Sequence, residues 1–240
     1  MTVLETQLIV LAKAPVPGRV KTRLTPPFTP HEAAALAESA LADTLEAGAS
    51  ASFARHVLAL ADQRAVPGTL RAELPARFEV TPQRGDGLDE RIAAAFDDAY
   101  AVAPVPVVLI GMDTPQVTPG LLETVARPLA TGEADAVFGP ATDGGFWLLG
   151  LRRPDPQLIL GVPMSADHTG QAQLDRLRAA RLRVRQVPEL TDVDTAQDAG
   201  RVAREAPGSR FAATLAMLGG HDREPAANAA AVSRSAAMSR

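Results

Sequence analysis

Short apolar runs alternate with longer alanine-rich segments along most of this 240-residue chain, and this alternation limits the folds open to it. The short runs match buried strands, whereas the segments between them have the length and spacing of helices. The predicted strands are Leu8–Ala12, His56–Leu60, Phe78–Thr81, Val107–Gly111, Ala134–Phe138 and Leu182–Val187. The predicted helices are Pro30–Ala47, Leu88–Val102, Thr118–Ala130, His168–Ala180 and Thr195–Glu205.

Strands separated by helices predict an α/β fold, in which a mostly parallel sheet carries helices on both faces. Phe146–Leu151 follows a Gly-Gly turn, so we expect it to return antiparallel beside Ala134–Phe138 and to make the sheet mixed. Residues 1–220 contain no linker or internal repeat and are expected to form one domain. Residues 221–240 are rich in Ala, Ser, Arg and Asn, and such a composition predicts a disordered tail.

The composition excludes several classes of function. The chain has no cysteine, which rules out disulfides, thiolate metal sites and a catalytic thiol. A formal net charge of -4 and an aromatic content of 4% argue against a nucleic-acid partner. No apolar run approaches the roughly 18 residues of a membrane span, and the N-terminus lacks signal-peptide features. We therefore expect a cytoplasmic protein that binds neither nucleic acid nor membrane.

Four cationic residues follow the first predicted strand, in the segment LAKAPVPGRVKTRL. Its prolines lack the backbone donors of a phosphate-binding glycine loop, so Lys13, Arg19, Lys21 and Arg23 would bind an anion through their side chains. If the stretch from Arg19 to Arg23 is extended, the period of two places Arg19, Lys21 and Arg23 on one face. Ligands of open α/β sheets bind at the carboxyl ends of strands, which favours a phosphate site over a solvated basic loop.

Aspartates follow or precede predicted elements at two further places. Asp113 comes directly after the most apolar strand, and Thr118 is available to cap the next helix. Asp113 is therefore free to hold a divalent cation opposite the phosphates. Asp192 and Asp194 precede the last predicted helix, and since a helix cap accounts for only one of them, Asp194 is the predicted second metal ligand.

Two glycine-containing turns complete the set of candidate residues. In the first, Gly85 and Gly87 permit close backbone approach to a ligand, and the following helix offers free N–H groups at its N-terminus. The second, Asp143-Gly144-Gly145, is either an ordinary hairpin turn or a further ligand contact.

These segments, in this order, resemble a bacterial family of uncharacterised transferases within the GT-A, nucleotide-diphospho-sugar transferase superfamily. The family motifs AKxPxPGxVKTRL, QxGxDLGER, G[ST]DxP, GPAxDGG[FY] and DxDT have counterparts at Ala12–Leu24, Gln83–Arg91, Gly111–Pro115, Gly139–Phe146 and Asp192–Thr195. The first motif is also similar to that of phospholactate guanylyltransferases. The resemblance implies a GT-A sandwich, a bound nucleotide, and Mg²⁺ or Mn²⁺ held by Asp113.

Motifs and resemblance together assign roles to individual residues. Lys21, Arg23 and Asp113 are the predicted catalytic residues, and Asp113 and Asp194 the predicted metal ligands. The predicted nucleotide contacts are Ala12, Lys13, Arg19, Lys21, Arg23, Gln83, Gly85, Gly87, Asp143 and Gly144.

Nucleotidyl transfer from a nucleoside triphosphate to a small phosphorylated or phosphonate acceptor agrees best with these residues. A phosphate nucleophile is already ionised at pH 7 and requires no general base, and the chain has no convincing catalytic His or Cys. Glycosyl transfer from a nucleotide sugar is the alternative, with Asp143 as a carboxylate base. A nucleotide-binding protein without turnover is the third possibility.

Overall fold

Seven strands and six α-helices form the part of the chain that the computed structural model describes, residues 3–62 and 74–219. The strands are β1 (Leu4–Lys13), β2 (Phe53–Ala61), β3 (Phe78–Pro82), β4 (Val107–Gly111), β5 (Ala136–Pro140), β6 (Phe146–Leu151) and β7 (Val184–Gln186). The helices are α1 (Pro30–Ser50), α2 (Leu88–Val102), α3 (Pro119–Thr131), α4 (Thr169–Ala179), α5 (Ala196–Glu205) and α6 (Arg210–Met217). None of these helices is long and apolar enough to cross a membrane. The predicted tail, 221–240, lies outside the described residues.

The strands form one sheet in the order β3-β2-β1-β4-β6-β5-β7. Strand β6 runs antiparallel to both β4 and β5, whereas every other neighbouring pair is parallel. This confirms the predicted mixed, mostly parallel sheet and the antiparallel return of Phe146–Leu151. Because β1, β4 and β5 run in the same direction, their carboxyl ends meet at one edge of the sheet.

Helices cover both faces of the sheet, and side chains alternate between two apolar layers. Along β1, Leu8 and Val10 pack with residues of α1 and α3, whereas Ile9 packs with residues of α2 and α4. This alternation is the period of two expected for a central strand that is buried on both faces. The predicted fold class is therefore confirmed.

A third apolar cluster joins α1, α5 and α6 at the side of the sheet, and the sequence did not predict α6. The side chain of Ser209 caps α6, and the carboxylate of Asp43 in α1 accepts hydrogen bonds from the backbone N–H groups of Arg210 and Phe211. An eight-residue helix has little intrinsic stability, so α6 depends on packing rather than on a strong local pattern. The same cluster buries Leu24 and Val193, which flank charged residues described below.

The turn between β5 and β6 lies against the segment that leads into α4. Gly144 has φ +88°, and its carbonyl oxygen accepts a hydrogen bond of 2.8 Å from Gly170 N. A Cβ atom on Gly144 would lie 1.9 Å from the carbonyl oxygen of Asp167. Glycine is therefore required at position 144 both by the backbone conformation and by this close approach.

Substitution of Gly144 by alanine should destabilise the protein more than substitution of Gly18. Both glycines have positive φ, but a Cβ on Gly18 would meet nothing within 4 Å. Gly18→Ala should cost about 1–2 kcal/mol from backbone strain alone. Gly144→Ala should cost at least about 2 kcal/mol more, because Asp167 must also move away. Urea denaturation measures the loss in free energy of unfolding for each variant. Equal losses would show that the contact between Gly144 and residues 167–170 adds nothing to the cost of the substitution.

His56 is a buried titratable group on β2. Its ring packs edge-on between Phe53 and Phe78, at centroid distances of 6.0 and 5.4 Å, and Nε2 lies 3.3 Å from the carbonyl oxygen of Ala51. Burial lowers the pKa of His56 below its ordinary value, and the nearby charge of Arg77 acts in the same direction. The folded protein therefore favours the neutral imidazole.

Acid should weaken the folded state through His56. Because the pKa of His56 is lower in the folded chain, the unfolded chain binds more protons between the folded value and about 6.5. The stability from neutral His56 is complete above about pH 6.5 and is lost as the pH falls through the folded pKa, with a limiting slope of about 1.4 kcal/mol per pH unit. Urea denaturation between about pH 7.5 and 5.5 should show this slope reduced in His56→Gln. The exposed His31 supplies the control, and a His31→Gln slope that changes as much would contradict the assignment.

Candidate functional site

The basic segment after β1 is turned rather than extended. Lys21 has a left-handed backbone, with φ 46° and ψ 43°, and Thr22–Leu24 is a short 3-10 helix. The expectation that Arg19, Lys21 and Arg23 share one face of an extended stretch is therefore wrong. In this turned path the side chains of Val20 and Leu24 are both buried.

Lys21 and Arg23 contact the predicted metal ligands. Lys21 Nζ lies 2.5 Å from Asp113 Oδ2 and 2.9 Å from Asp194 Oδ1, and its side chain is only 9% exposed. Arg23 Nη1 lies 3.3 Å from Asp194 Oδ2, but the Arg23 side chain is 68% exposed. Arg19 instead pairs with Asp62 at 3.5 Å, where both side chains are exposed. Lys21 and Arg23, predicted to bind phosphate, thus bind the carboxylates predicted to hold a metal.

Three aspartates converge beside Lys21. Asp113, Asp192 and Asp194 each offer one carboxylate oxygen, and these three oxygens lie within 4.8 Å of one another. Asp113 follows β4, and its backbone carbonyl accepts a hydrogen bond of 3.0 Å from the N–H of Val193. This bond ties the loop after β4 to the loop that carries the other two aspartates.

The cap of α5 comes from Thr195, so neither Asp192 nor Asp194 is needed for it. Thr195 Oγ1 accepts a hydrogen bond from the N–H of Asp198, and the Asp198 carboxylate accepts one from the N–H of Thr195. Asp194 is a predicted metal ligand, whereas Asp192 is not among the predicted ligands but joins the cluster in the structure. The signal was present in the sequence, because Asp192 precedes Asp194 by two residues on the same loop.

Burial and neighbouring charges shift the pKa values of these groups, acting together on Asp192 and against each other on Asp194 and Lys21. Burial, and then the charges of Asp113, Asp143 and Asp194, raise the pKa of Asp192 to about 7. Burial also disfavours the charged form of Asp194, but Lys21 and Arg23 outweigh it and lower its pKa. Burial would likewise lower the pKa of Lys21, yet Asp113 and Asp194 raise it well above its ordinary value. Negative charge at Asp192 has no ion-pair partner among the described residues.

The donor set fits a hard divalent cation. Carboxylate oxygens are the ligands that Mg²⁺ and Mn²⁺ prefer, and three of them converge here. The buried hydroxyls of Thr114 and Thr191 adjoin Asp113 and Asp192 in the chain and have no hydrogen-bond partner within the described residues. Buried polar atoms are usually satisfied by protein, water or a bound group. The three aspartates could therefore hold a metal ion.

Gln83 joins the carboxyl ends of the first strands. Its Nε2 donates to the carbonyl oxygens of Ala12 and Ala59, at 2.8 and 2.9 Å. Both amide hydrogens are thus used within the fold, and a nucleotide contact from Gln83 would use its oxygen. Lys13 ends β1 with an exposed side chain, and it forms no ion pair within residues 3–62 and 74–219.

The turn before α2 is closed on its own helix. The N–H groups of Asp86 and Gly87 donate to Glu90 Oε2 at 2.7 and 3.4 Å, and Arg91 Nε donates to the carbonyl oxygen of Gly85 at 3.0 Å. The N–H groups of Asp86 and Gly87 are therefore occupied within the turn, and ligand contacts from Gly85 and Gly87 remain predictions. Gly85 has φ +111°, a backbone conformation that favours glycine, so the glycine at this position is explained even if it contacts no ligand.

The β5–β6 turn lies near the aspartates. Asp143 is exposed, its Oδ1 accepts a hydrogen bond of 2.7 Å from Gly145 N, and its charge contributes to the raised pKa of Asp192. Gly144 packs against Asp167, so the hairpin interpretation accounts for this glycine. Nucleotide contacts from Asp143 and Gly144 remain predictions.

Comparison with known proteins gives one curated relative, 2-phospho-L-lactate guanylyltransferase of Natrialba magadii. The two sequences are 29% identical over 161 residues, which cover 65% of this chain. The chain matches 64% of the length of that relative.

Two solved structures resemble the described fold. A protein of Desulfovibrio desulfuricans G20, whose name places it among nucleotide-diphospho-sugar transferases, has a TM-score of 0.81 and 29% identity, and the match covers 89% of this chain and 95% of that one. CMP:2-keto-3-deoxy-manno-octonic acid synthetase complexed with CTP has a TM-score of 0.55 and 15% identity, with 85% and 98% covered. The second likeness shows the fold alone. The nucleotide-diphospho-sugar transferase fold expected from the sequence is confirmed.

The family profile described as "Uncharacterized protein conserved in bacteria (DUF2064)" matches residues 44–166. The matched region is half of the chain and contains the motifs at Gln83–Arg91, Gly111–Pro115 and Gly139–Phe146. The chain therefore belongs to the bacterial DUF2064 family.

Proposed function

We propose that this protein is a metal-dependent nucleotidyltransferase that transfers a nucleoside monophosphate from a nucleoside triphosphate to a small phosphorylated or phosphonate acceptor. The observation that carries the proposal is a cluster of three aspartates, two of which, Asp113 and Asp194, are contacted by the cations of the segment after β1. Cations beside a cluster of carboxylates suit the binding of a polyphosphate together with a divalent ion. The name of the guanylyltransferase relative supports a nucleoside triphosphate as donor.

In the proposed reaction, an acceptor phosphate oxygen forms a bond to the α-phosphorus, and the bond from that phosphorus to the bridging oxygen of pyrophosphate breaks. Lys21 and Arg23, with Lys13 and Arg19, bind the triphosphate and the departing pyrophosphate. Asp113, Asp192 and Asp194 would hold Mg²⁺ or Mn²⁺, which supplies charge neutralisation at the α-phosphate. The acceptor is already ionised, so the protein's task is alignment and neutralisation of charge.

Glycosyl transfer from a nucleotide sugar is a second candidate, and it is favoured by the neighbour from Desulfovibrio desulfuricans at 29% identity. The exposed carboxylate of Asp143 would then act as the base towards a sugar hydroxyl. Four cations after β1 favour a triphosphate over a sugar diphosphate. The two reactions differ in the leaving group, which is pyrophosphate in the first and a nucleoside diphosphate in the second.

Product analysis tests the proposal. The protein is incubated with Mn²⁺, each of the four nucleoside triphosphates and a panel of small phosphorylated acids that includes 2-phospho-L-lactate. Acceptor-dependent release of pyrophosphate supports nucleotidyl transfer. Release of a nucleoside diphosphate from nucleotide sugars, without pyrophosphate release from any triphosphate, would contradict nucleotidyl transfer and support glycosyl transfer.

Asp113→Asn should keep the fold and lose metal-dependent binding of nucleoside triphosphate. An amide carries no charge with which to hold a hard divalent cation. Calorimetric titration should show the gain in affinity from Mn²⁺ in the wild type and no gain in the variant. Asp175→Asn, which removes an exposed carboxylate paired with Arg178 on α4, is the control. Unchanged metal dependence in Asp113→Asn would show that Asp113 is not a ligand of the metal ion.

Arg23→Ala should weaken triphosphate binding more than monophosphate binding. A hydrogen bond to a charged group contributes about 1.5–3 kcal/mol, which corresponds to a loss of at least about tenfold. Monophosphate affinity should fall less than about twofold, through screened charge alone. Arg178→Ala removes an exposed arginine of α4 and serves as the control. Equal, small losses for both nucleotides would contradict a phosphate role, and a diphosphate as sensitive as the triphosphate would favour glycosyl transfer.

A further inference from the structure

Lys21 is a cation held inside the candidate metal site. Its ammonium bridges two of the three convergent carboxylates, at 2.5 Å from Asp113 and 2.9 Å from Asp194. The side chain is 9% exposed, whereas that of Arg23, the other cation on Asp194, is 68% exposed. The cationic group most enclosed by the aspartates is therefore a lysine of this chain.

This lysine and a divalent ion would compete for the same two carboxylates, Asp113 and Asp194. A Mg²⁺ ion binds oxygen at about 2.0–2.1 Å, so an ion on the Asp113 oxygen that Lys21 contacts would lie within about 5 Å of Nζ. At this distance the ion and the ammonium repel each other, and water screens the repulsion little because Lys21 is buried. An ammonium held by Asp113 and Asp194 therefore opposes the binding of a divalent ion to the same carboxylates.

We propose that Lys21 is the resident counter-ion of Asp113 and Asp194, and that a divalent ion binding with the nucleotide displaces its ammonium onto the phosphates. The inference rests on the proposed function in taking the three aspartates as the metal site. A metal ion alone must then displace Lys21 without giving it a new partner. The nucleotide supplies that partner, so metal and nucleotide bind better together than separately.

The segment allows this exchange without refolding. Leu24 is anchored in the third apolar cluster, so the backbone after Lys21 is fixed. The four-carbon side chain of lysine carries a compact charge on freely rotating bonds and can be redirected by rotation alone. On the N-terminal side of Lys21, a Cβ atom at Gly18 would meet nothing within 4 Å, so the turn has free space around Gly18.

Binding of Mn²⁺ alone to the nucleotide-free, full-length chain tests the inference, with free Mn²⁺ measured by electron paramagnetic resonance. Lys21→Met removes the ammonium, and Lys21→Gln removes its charge but keeps hydrogen-bond donors towards Asp113 and Asp194. Both variants should bind Mn²⁺ at least about tenfold more tightly than the wild type, because no internal cation competes. Arg178→Met makes the same change in net charge at an exposed position of α4 and should alter the affinity by less than about twofold.

Thermal melting provides a second readout. Without metal, both Lys21 variants should melt at a lower temperature than the wild type, because carboxylates lose their counter-ion. Saturating Mn²⁺ should raise the melting temperature of these variants more than that of the wild type. Failure of both variants to fold even in saturating Mn²⁺ would overturn the inference, because the ion should replace the lost ammonium.

The outcomes separate this inference from the proposed function. Unchanged Mn²⁺ affinity in both Lys21 variants, together with weakened binding in Asp113→Asn, would overturn the inference and leave the metal site in place. Absence of Mn²⁺ binding in the wild type and in all variants would overturn both the inference and the metal requirement of the proposed reaction.

Discussion

The parallel pairing of β1 with β4 determines where the candidate site forms. Leu11 lies opposite Gly111 in the register of the two strands; β4 ends at Gly111, and β1 ends at Lys13. The segment that leaves β1 carries the cations, and the loop that leaves β4 carries Asp113. Neighbouring parallel strands release their chains at the same edge, so opposite charges far apart in the sequence emerge side by side. Strand β5 runs in the same direction and leads to Asp143 at the same edge.

Apolar packing, rather than ion pairing, holds the charged loops in place. Leu24 and Val193 are both almost completely buried in the third cluster, one just after Arg23 and the other between Asp192 and Asp194. Full burial of such a side chain contributes about 1.5–3 kcal/mol, whereas a pair with an exposed partner such as Arg23 contributes about 0–1 kcal/mol. The buried ion pairs of Lys21 must first offset the cost of removing their charges from water. The ends of both loops are thereby fixed by groups that do not take part in charge interactions. Charged side chains on fixed loops can exchange partners without loss of the fold.

The order of strands and helices, the mixed sheet and the position of each motif could be predicted because they depend on local patterns of apolar residues and turns. Contacts between distant segments could not: Lys21 and Asp194 are 173 residues apart, and no local pattern indicates that they form an ion pair. Asp192 was left out because capping of α5 was a sufficient local explanation until Thr195 was seen to provide the cap. Helix α6 was missed because tertiary packing of Phe211 and Leu215, not periodicity, stabilises it.

The count of charges at the site indicates why a polyphosphate would enter it together with a divalent ion. Lys13, Arg19, Lys21 and Arg23 carry four positive charges at neutral pH, and the three aspartates carry up to three negative ones. A nucleoside triphosphate brings a charge of about −4, which would leave the occupied site strongly negative. A divalent ion removes about two of the roughly three excess negative charges at the place where the carboxylates and phosphates face each other. Without this ion the phosphates and the carboxylates repel each other. In the free protein Lys21 neutralises part of the charge of the aspartates, but once the nucleotide is bound the site requires a further cation.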